Sequence, residues 1–396
     1  MKIGLVVQRF GEEVIGGAEL HARWIAQHLA ESHQVEVLTT CAVDYLTWEN
    51  VYEPGETTVA GLPVHRFPVG RRRTSEGFDE LSSKVHFFDH TDDEERRWME
   101  EHGPVTPGLL RHLESRGGEY DVLVFFSYRY WTTYHGLRIH PAKSILVPTA
   151  EQDNAVRLRI FRDLFRLPAA LAFNSPEERE LLMEVSGAAE LPGEVVGVGI
   201  EDAPVVPPDE IRRRLDVLGD YVVYVGRIER EKGCARLFDE FARFVREQAP
   251  HLNLVLVGKA VLPVPVHVNF THLGVLSETE KLSVIGASKL LVHPSPFESL
   301  SMALLEAWKM GRPALVNGRC SVLRGQVQRA GGGLYYGPYE EFAEALTWLL
   351  SHGAEADALG RSGRAYFERH YSWPVIMEKY ERLLAQARRA IPAGRG

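Results

Sequence analysis

Two glutamates stand eight positions apart in the stretch "HPSPFESLSMALLEAWKMGRP", residues 293–313. Glu298 precedes a Ser299-Leu300-Ser301 segment, and Glu306 falls in the apolar run behind it. Serine commonly caps a helix, so the pattern places a helix start between the two carboxylates. Backbone amides at such a start point outward with partial positive charge and suit an anion. Carboxylates accept hydrogen bonds from vicinal hydroxyls, so the layout fits a sugar on one side of a phosphate and a ribose on the other. A fully helical step of that length would be roughly 12 Å, and the loop leaves the true separation open. The plainer alternative makes Glu298 a capping residue and Glu306 a helix-surface one, since acidic residues near helix starts are favoured anyway.

Two more stretches carry candidate chemistry. "YVGRIEREKG" (224–233) follows a strand pattern with Arg227 and Lys232. A planar fork and a compact ammonium at a strand's carboxyl end can clamp a diphosphate. The alternative is a solvated charged turn balanced by Glu229 and Glu231. In "RFGEEVIGGAELHARWIAQHLA" (9–30), Gly16-Gly17 sits where a helix begins, so backbone can approach an anionic ligand there. The dinucleotide pattern G-x-G-x-x-G is absent, and a flexible loop entering an ordinary helix explains the glycines equally well.

The elements that must hold these residues read as strands alternating with helices, the mark of parallel sheets flanked by helices. Strand patterns occupy 2–8, 34–40, 64–69, 120–127, 144–150, 170–175 and 194–200, then 221–226, 252–258, 267–274, 289–295 and 312–317. Several are continuous Val, Ile and Leu runs, as expected of strands buried on both faces. Helical patterns include 234–249, a run closing at Gly353, and an amphipathic segment at 373–390 that starts with Pro374. At 396 residues the chain exceeds one ordinary core. The reading is α/β, with two doubly wound domains and a cleft between them, and ligands at strand carboxyl ends. The proline-rich stretch 201–210 is the expected linker. The expected domains are 1–200 and 211–373. Residues 71–118 look like an irregular insertion on the acceptor side.

With these motifs in this order, the chain resembles a retaining glycosyltransferase of family 4, with the two-domain GT-B fold of Rossmann-like lobes. The matching residues are Gly16-Gly17, Arg227 and Lys232 in "GRIEREKG", and the E-x7-E pair Glu298 and Glu306 followed by "GRPALV". The resemblance spans nearly the whole chain and implies that the final helix returns to the first domain, so that 374–396 completes it. It implies a donor diphosphate held by Arg227, Lys232 and the amides of Ser299, Leu300 and Ser301. It further implies ribose bound by Glu306, hexose contacted by Glu298, the base near Val275, and Gly16-Gly17 closing over the donor. Catalysis would then be electrostatic and positional, with no metal or other cofactor. The donor would be a nucleotide-diphosphate sugar, UDP- or GDP-linked, and the acceptor a glycan, a lipid-linked or a small molecule. The pattern departs from the family in "VPTAEQDNAVRLR", where Glu151, Gln152 or Asp153 stands in place of a common histidine. Glu151 is the candidate base or sugar contact there. The departure keeps two other readings open: another nucleotide-sugar enzyme (an epimerase or hydrolase), or a binder that transfers nothing.

Composition bounds the rest. Hydrophobic content of 45% with 25% charged residues fits a soluble globular chain, and the net charge of −9 argues against a nucleic-acid partner. Three scattered cysteines, Cys41, Cys234 and Cys320, read as free thiols in a reducing compartment. The early apolar stretch "IGLVV" is short for a signal-peptide core. The expected location is therefore the cytoplasm. The basic amphipathic stretch 157–168 is a candidate for peripheral contact with an anionic membrane, the alternative being a helix packed on its own sheet. His86 and His90, at i and i+4 beside acidic residues, make a poor metal site without further ligands.

Overall fold

A computed structural model describes residues 1–14, 16–217 and 219–390, the side chains of Ser75 and Glu76 excepted. The chain divides into two compact units, Met1–Val198 together with the chain from Ile376 onward, and Gly199–Val375. The stretch 201–210 therefore lies inside the second unit, and a helix, Pro208–Arg214, begins within it. Proline at the first helical position costs nothing there, because its missing N–H would be unpaired anyway.

The first unit holds strands β1 (Lys2–Val6), β2 (Gln34–Thr40), β3 (Gly55–Val59), β4 (Leu62–Phe67), β5 (Val122–Phe126), β6 (Ser144–Val147), β7 (Ala170–Phe173) and β8 (Gly193–Val195). They form one sheet in the order β3-β4-β2-β1-β5-β6-β7-β8. Every pairing is parallel except β3 with β4. Strand β3 escapes the sequence pattern because it is an edge strand of exposed residues, held by pairing and not by burial. Ala60 and Gly61 between β3 and β4 both take positive φ, the conformation a tight hairpin requires.

The second unit holds β9 (Tyr221–Val225), β10 (Asn253–Val257), β11 (Phe270–Gly274), β12 (Leu291–His293), β13 (Ala314–Asn317) and β14 (Gly333–Tyr336), in the order β11-β10-β9-β12-β13-β14. All pairings are parallel, so the loops leaving β9, β12 and β13 emerge side by side at one edge. The helix Cys234–Glu247 seats this sheet with Leu237, Phe238, Phe241, Phe244 and Val245, a stripe at helical spacing. Each such side chain contributes about 1.5–3 kcal/mol by leaving water.

Several segments differ from the sequence reading. Residues 71–118 contain three helices, Ser75–Phe87, Asp92–His102 and Pro107–Arg116, and not an irregular insertion. The second carries a complete capping box between Thr91 and Glu94, and its Trp98 and Met99 enter the core. Gly353 opens the helix Gly353–His370 and does not close its predecessor Tyr339–Ser351.

The stretch 157–168 is broken into short turns, and its Leu158, Phe161, Leu164 and Phe165 are buried in the first unit's core. Arg157 pairs with Glu184, and Arg159 with Asp92 and Glu95. These apolar side chains are thus consumed internally, as the alternative of a segment packed within its own unit requires. Among the described residues no helix is long and apolar enough to cross a membrane. From Ile376 the helix Trp373–Ala390 buries Ile376, Tyr380, Leu383, Leu384 and Ala387 within the first unit. His33 lies 2.7 Å from Glu381, and Lys379 donates to the Val196 carbonyl at 3.3 Å.

Candidate functional site

The second unit places Arg227, Lys232 and Glu298 in the loops that leave β9 and β12 at the carboxyl edge of its sheet. Gly226 directly follows β9, and its φ of 147° suits glycine. Gly233, four residues beyond Glu229, also has positive φ and begins the helix Cys234–Glu247. A Cβ at Gly233 would lie 2.5 Å from the Pro294 carbonyl oxygen, so only glycine lets the two loops approach this closely. The approach sets Lys232 Nζ 2.9 Å from Glu298 Oε1 and 3.5 Å from the Phe297 carbonyl.

Arg227 Nη2 lies 3.2 Å from Glu229 Oε1, so the acidic neighbour does balance the arginine, as the plainer reading held. The Tyr224 hydroxyl donates to the Arg227 carbonyl at 2.7 Å and fixes the loop from inside. His293, the last residue of β12, is buried, and its Nε2 stands 3.7 Å from Glu298 Oε1. Burial, helped by the Lys232 charge, drives the imidazole down to about 3, so it is neutral beside the ion pair.

Ser301 caps the helix Met302–Lys309 by accepting from the Leu304 N–H at 3.1 Å. Its own N–H donates to Gln326 Oε1 at 3.2 Å. Both polar groups of Ser301 are therefore engaged within the protein. Leu300 is largely buried and Ser299 half-buried. Asn317, at the end of β13, donates to the carbonyls of Pro294 and Ser295 at 3.1 and 3.3 Å and braces the loop before Glu298.

Glu306 is not a surface residue: it is 2% exposed, with Lys281 Nζ 2.8 Å from its Oε1. Burial pushes its carboxyl up, and the lysine opposes this. Val275, just past β11, is 60% exposed.

In the first unit, Gly16 precedes the helix Gly17–Ala30. Arg9, Gln8 and Glu19 form a buried cluster at the exit of β1, with Arg9 Nε 3.0 Å and Gln8 Nε2 2.7 Å from Glu19 Oε1. The Glu19 carboxylate, held by Arg9 and Gln8, thus lies beside Gly16 at the helix start. A Cβ at Gly16 would meet Glu19 Oε2 at 2.0 Å, whereas one at Gly17 would meet nothing within 4 Å.

Glu151 is half-buried and follows Thr149, which has a positive φ of 50°. Ser127, at the exit of the adjacent β5, has φ 64° and accepts from Thr149 Oγ1 at 2.9 Å. Two non-glycine residues held in this region store backbone strain beside the candidate residue. Gln152 is exposed, and Asp153 is engaged with Arg129. Among the described residues no cluster of three or more metal-ligating side chains exists, and the three cysteines are free and buried.

Sequence reasoning did not find Lys281, His293, Asn317 or Gln326. His293 opens the quoted stretch 293–313 and Asn317 closes the strand pattern 312–317, yet the pattern marks neither as functional. Lys281 and Gln326 carry no signal, because a polar residue in a helix reads as a solvated one.

Residues 210–366 match the family model described as glycosyl transferases group 1. That segment contains Arg227, Lys232, Glu298 and Glu306. No curated protein matches the chain by sequence. Among solved structures, sucrose-phosphate synthase from Thermosynechococcus elongatus is similar at 18% identity and a TM-score of 0.72, covering 97% of this chain and 98% of that one. HepE from Anabaena, solved with UDP-glucose, is similar at 16% identity and a TM-score of 0.69, over 97% and 99% of the two chains. WaaG, a glycosyltransferase involved in lipopolysaccharide biosynthesis, is similar at 16% identity and a TM-score of 0.64, over 99% and 100%. These likenesses establish the fold as GT-B, built of two Rossmann-like α/β units.

Proposed function

We propose that the protein is a retaining glycosyltransferase that moves a hexosyl unit from a UDP- or GDP-linked sugar to a glycan, lipid-linked or small-molecule acceptor. The observation that carries the reading is the Lys232–Glu298 pair beside Arg227 at one sheet edge, within the segment matching glycosyl transferases group 1. A diphosphate arriving there brings charge that competes with Glu298 for the lysine. Glu298 is then released to hydrogen-bond the hexose and to stabilise positive charge at its anomeric carbon. Arg227 adds a planar fork for the phosphate oxygens. Glu306 would accept from the ribose hydroxyls, and backbone near Val275 would meet the base. Amides at the 299–301 turn would assist the diphosphate, the Ser301 N–H being already engaged by Gln326. Gly16, Gly17 and Glu151 keep the roles the family resemblance gives them.

In the transfer step the bond from the anomeric carbon to the β-phosphate oxygen breaks, and a bond to the acceptor oxygen forms on the same face. The acceptor's proton passes to the departing phosphate. Arg227 and Lys232 supply positive charge without a metal.

A second reading, a binder that transfers nothing, draws on the 151–153 stretch, where Asp153 is committed to Arg129. Titration with UDP, GDP and ADP, alongside a donor-turnover assay with and without sugar acceptors, separates the two. Binding with acceptor-dependent turnover supports the enzyme. Binding without turnover supports the second reading, and no binding removes both.

A further inference from the structure

We propose that Lys281 is a positioning residue for recognition of the nucleotide's ribose, acting through Glu306; the proposal rests on the donor reading above. Lys281 stands in the first turn of the helix Glu278–Ala287 and is largely buried. Its ammonium lies 2.8 Å from Glu306 Oε1 and 2.8 Å from Glu278 Oε1, so it cross-links two carboxylates from different helices. A buried carboxylate without a cation is costly and takes up a proton, after which it is a poor acceptor. Among the described residues Lys309 is the other cation that acts on Glu306, and it is engaged elsewhere. Lys309 shares a helix with Glu306, but its Nζ is held by the Ile200 and Glu201 carbonyls at 2.9 and 2.7 Å and by Asp202 at 2.7 Å.

The cross-link consumes one oxygen of each carboxylate. The lysine meets Glu306 at Oε1, and Glu278 Oε2 is buried, without a partner among the described residues. A buried carboxylate with one oxygen pinned by an ammonium is an oriented acceptor for a vicinal diol. The ammonium has three N–H donors, and the two contacts leave one for the ligand. Burial pulls the lysine's affinity for its proton down, but Glu306 and Glu278 outweigh this and raise it, so the cation persists at neutral pH.

The test uses the full chain with UDP, GDP and ADP, then the tightest of the three against its 2′-deoxy and 3′-deoxy forms by titration calorimetry. Wild type is expected to favour the ribose form by about tenfold or more, the worth of a hydrogen bond to a charged acceptor. Lys281→Met is expected to shrink that preference to less than about threefold, and Lys281→Arg to restore most of it. Lys281→Gln, closer in polarity and less prone to unfold, carries the same expectation as Lys281→Met, and thermal unfolding of each variant is followed alongside. An unchanged ribose preference in folded Lys281→Met or Lys281→Gln overturns the proposal while leaving the donor reading intact. Failure of the wild type to bind any nucleoside diphosphate overturns the donor reading and this proposal with it.

Discussion

Lys232 Nζ and Glu298 Oε1 are 2.9 Å apart although 66 positions separate them in the chain. Both side chains are mostly withdrawn from water, so the pair is stronger than a surface ion pair, and each partner is exposed to loss if the other is removed. Lys232→Ala is expected to weaken nucleoside diphosphate binding by about tenfold or more, the scale of a lost charge-assisted hydrogen bond. Glu298→Gln is expected to leave that affinity unchanged or improved, because the lysine loses its internal competitor, while donor turnover falls. Calorimetry and a turnover assay on the two variants check this, and equal effects on affinity would remove the assignment.

The paired glycines are expected to behave differently. Gly16→Ala drives a methyl against Glu19 Oε2, a contact of 2.0 Å that the buried Arg9 pair resists relaxing. Breaking such a pair outright costs about 3–5 kcal/mol, which bounds the loss from above. Gly17→Ala meets open space at the first position of a helix and is expected to change stability by at most about 1 kcal/mol, in the favourable direction. Thermal melts of both variants give the answer. A Gly17→Ala protein that melts normally but has lost activity would place a ligand at that methyl.

Acid is expected to destabilise the fold through its buried histidines. Burial drives His21 and His293 down to about 3, whereas an unfolded chain protonates them near 6.5. Between those values the unfolded state binds more protons, so their contribution is complete above about 6.5 and is lost as pH falls toward 3. Glu178, which burial raises to about 8 from a usual 4.5, acts oppositely, and its contribution fades as pH rises through that interval. The His21→Leu variant isolates one histidine from this sum. Its unfolding free energy should lose up to about 1.4 kcal/mol less per pH unit than wild type below pH ~6. Denaturant titrations at several pH values measure the difference, and parallel profiles would show that His21 is not buried in its neutral form.

Gln326 is fully buried and accepts the Ser301 N–H, so it braces the turn that precedes the helix Met302–Lys309. Gln326→Met keeps most of the volume but leaves that N–H unpaired, at about 1–3 kcal/mol. Ser301→Ala, which removes the helix cap, should cost about 1 kcal/mol. Thermal unfolding ranks the two, and a neutral Gln326→Met would mean that the turn is held by other contacts.

The sequence by itself determined the alternation of strand and helix, because runs such as "YVVYV" and "NLVLV" are too apolar and too β-branched to sit anywhere but in a buried parallel sheet. It also singled out Glu298, Glu306, Arg227 and Lys232, since charged residues beside glycine and serine at strand exits break the local pattern. It missed β3 and β14 because short or exposed edge strands lack that apolar run. Only the tertiary structure decided partners. Whether Lys232 was a solvated turn residue or Glu298's counterion depended on Gly233 admitting the Pro294 carbonyl. Whether Glu306 faced water or Lys281 depended on two helices packing side by side. A charge's environment is set by whatever the fold carries next to it, and local spacing along the chain encodes none of that.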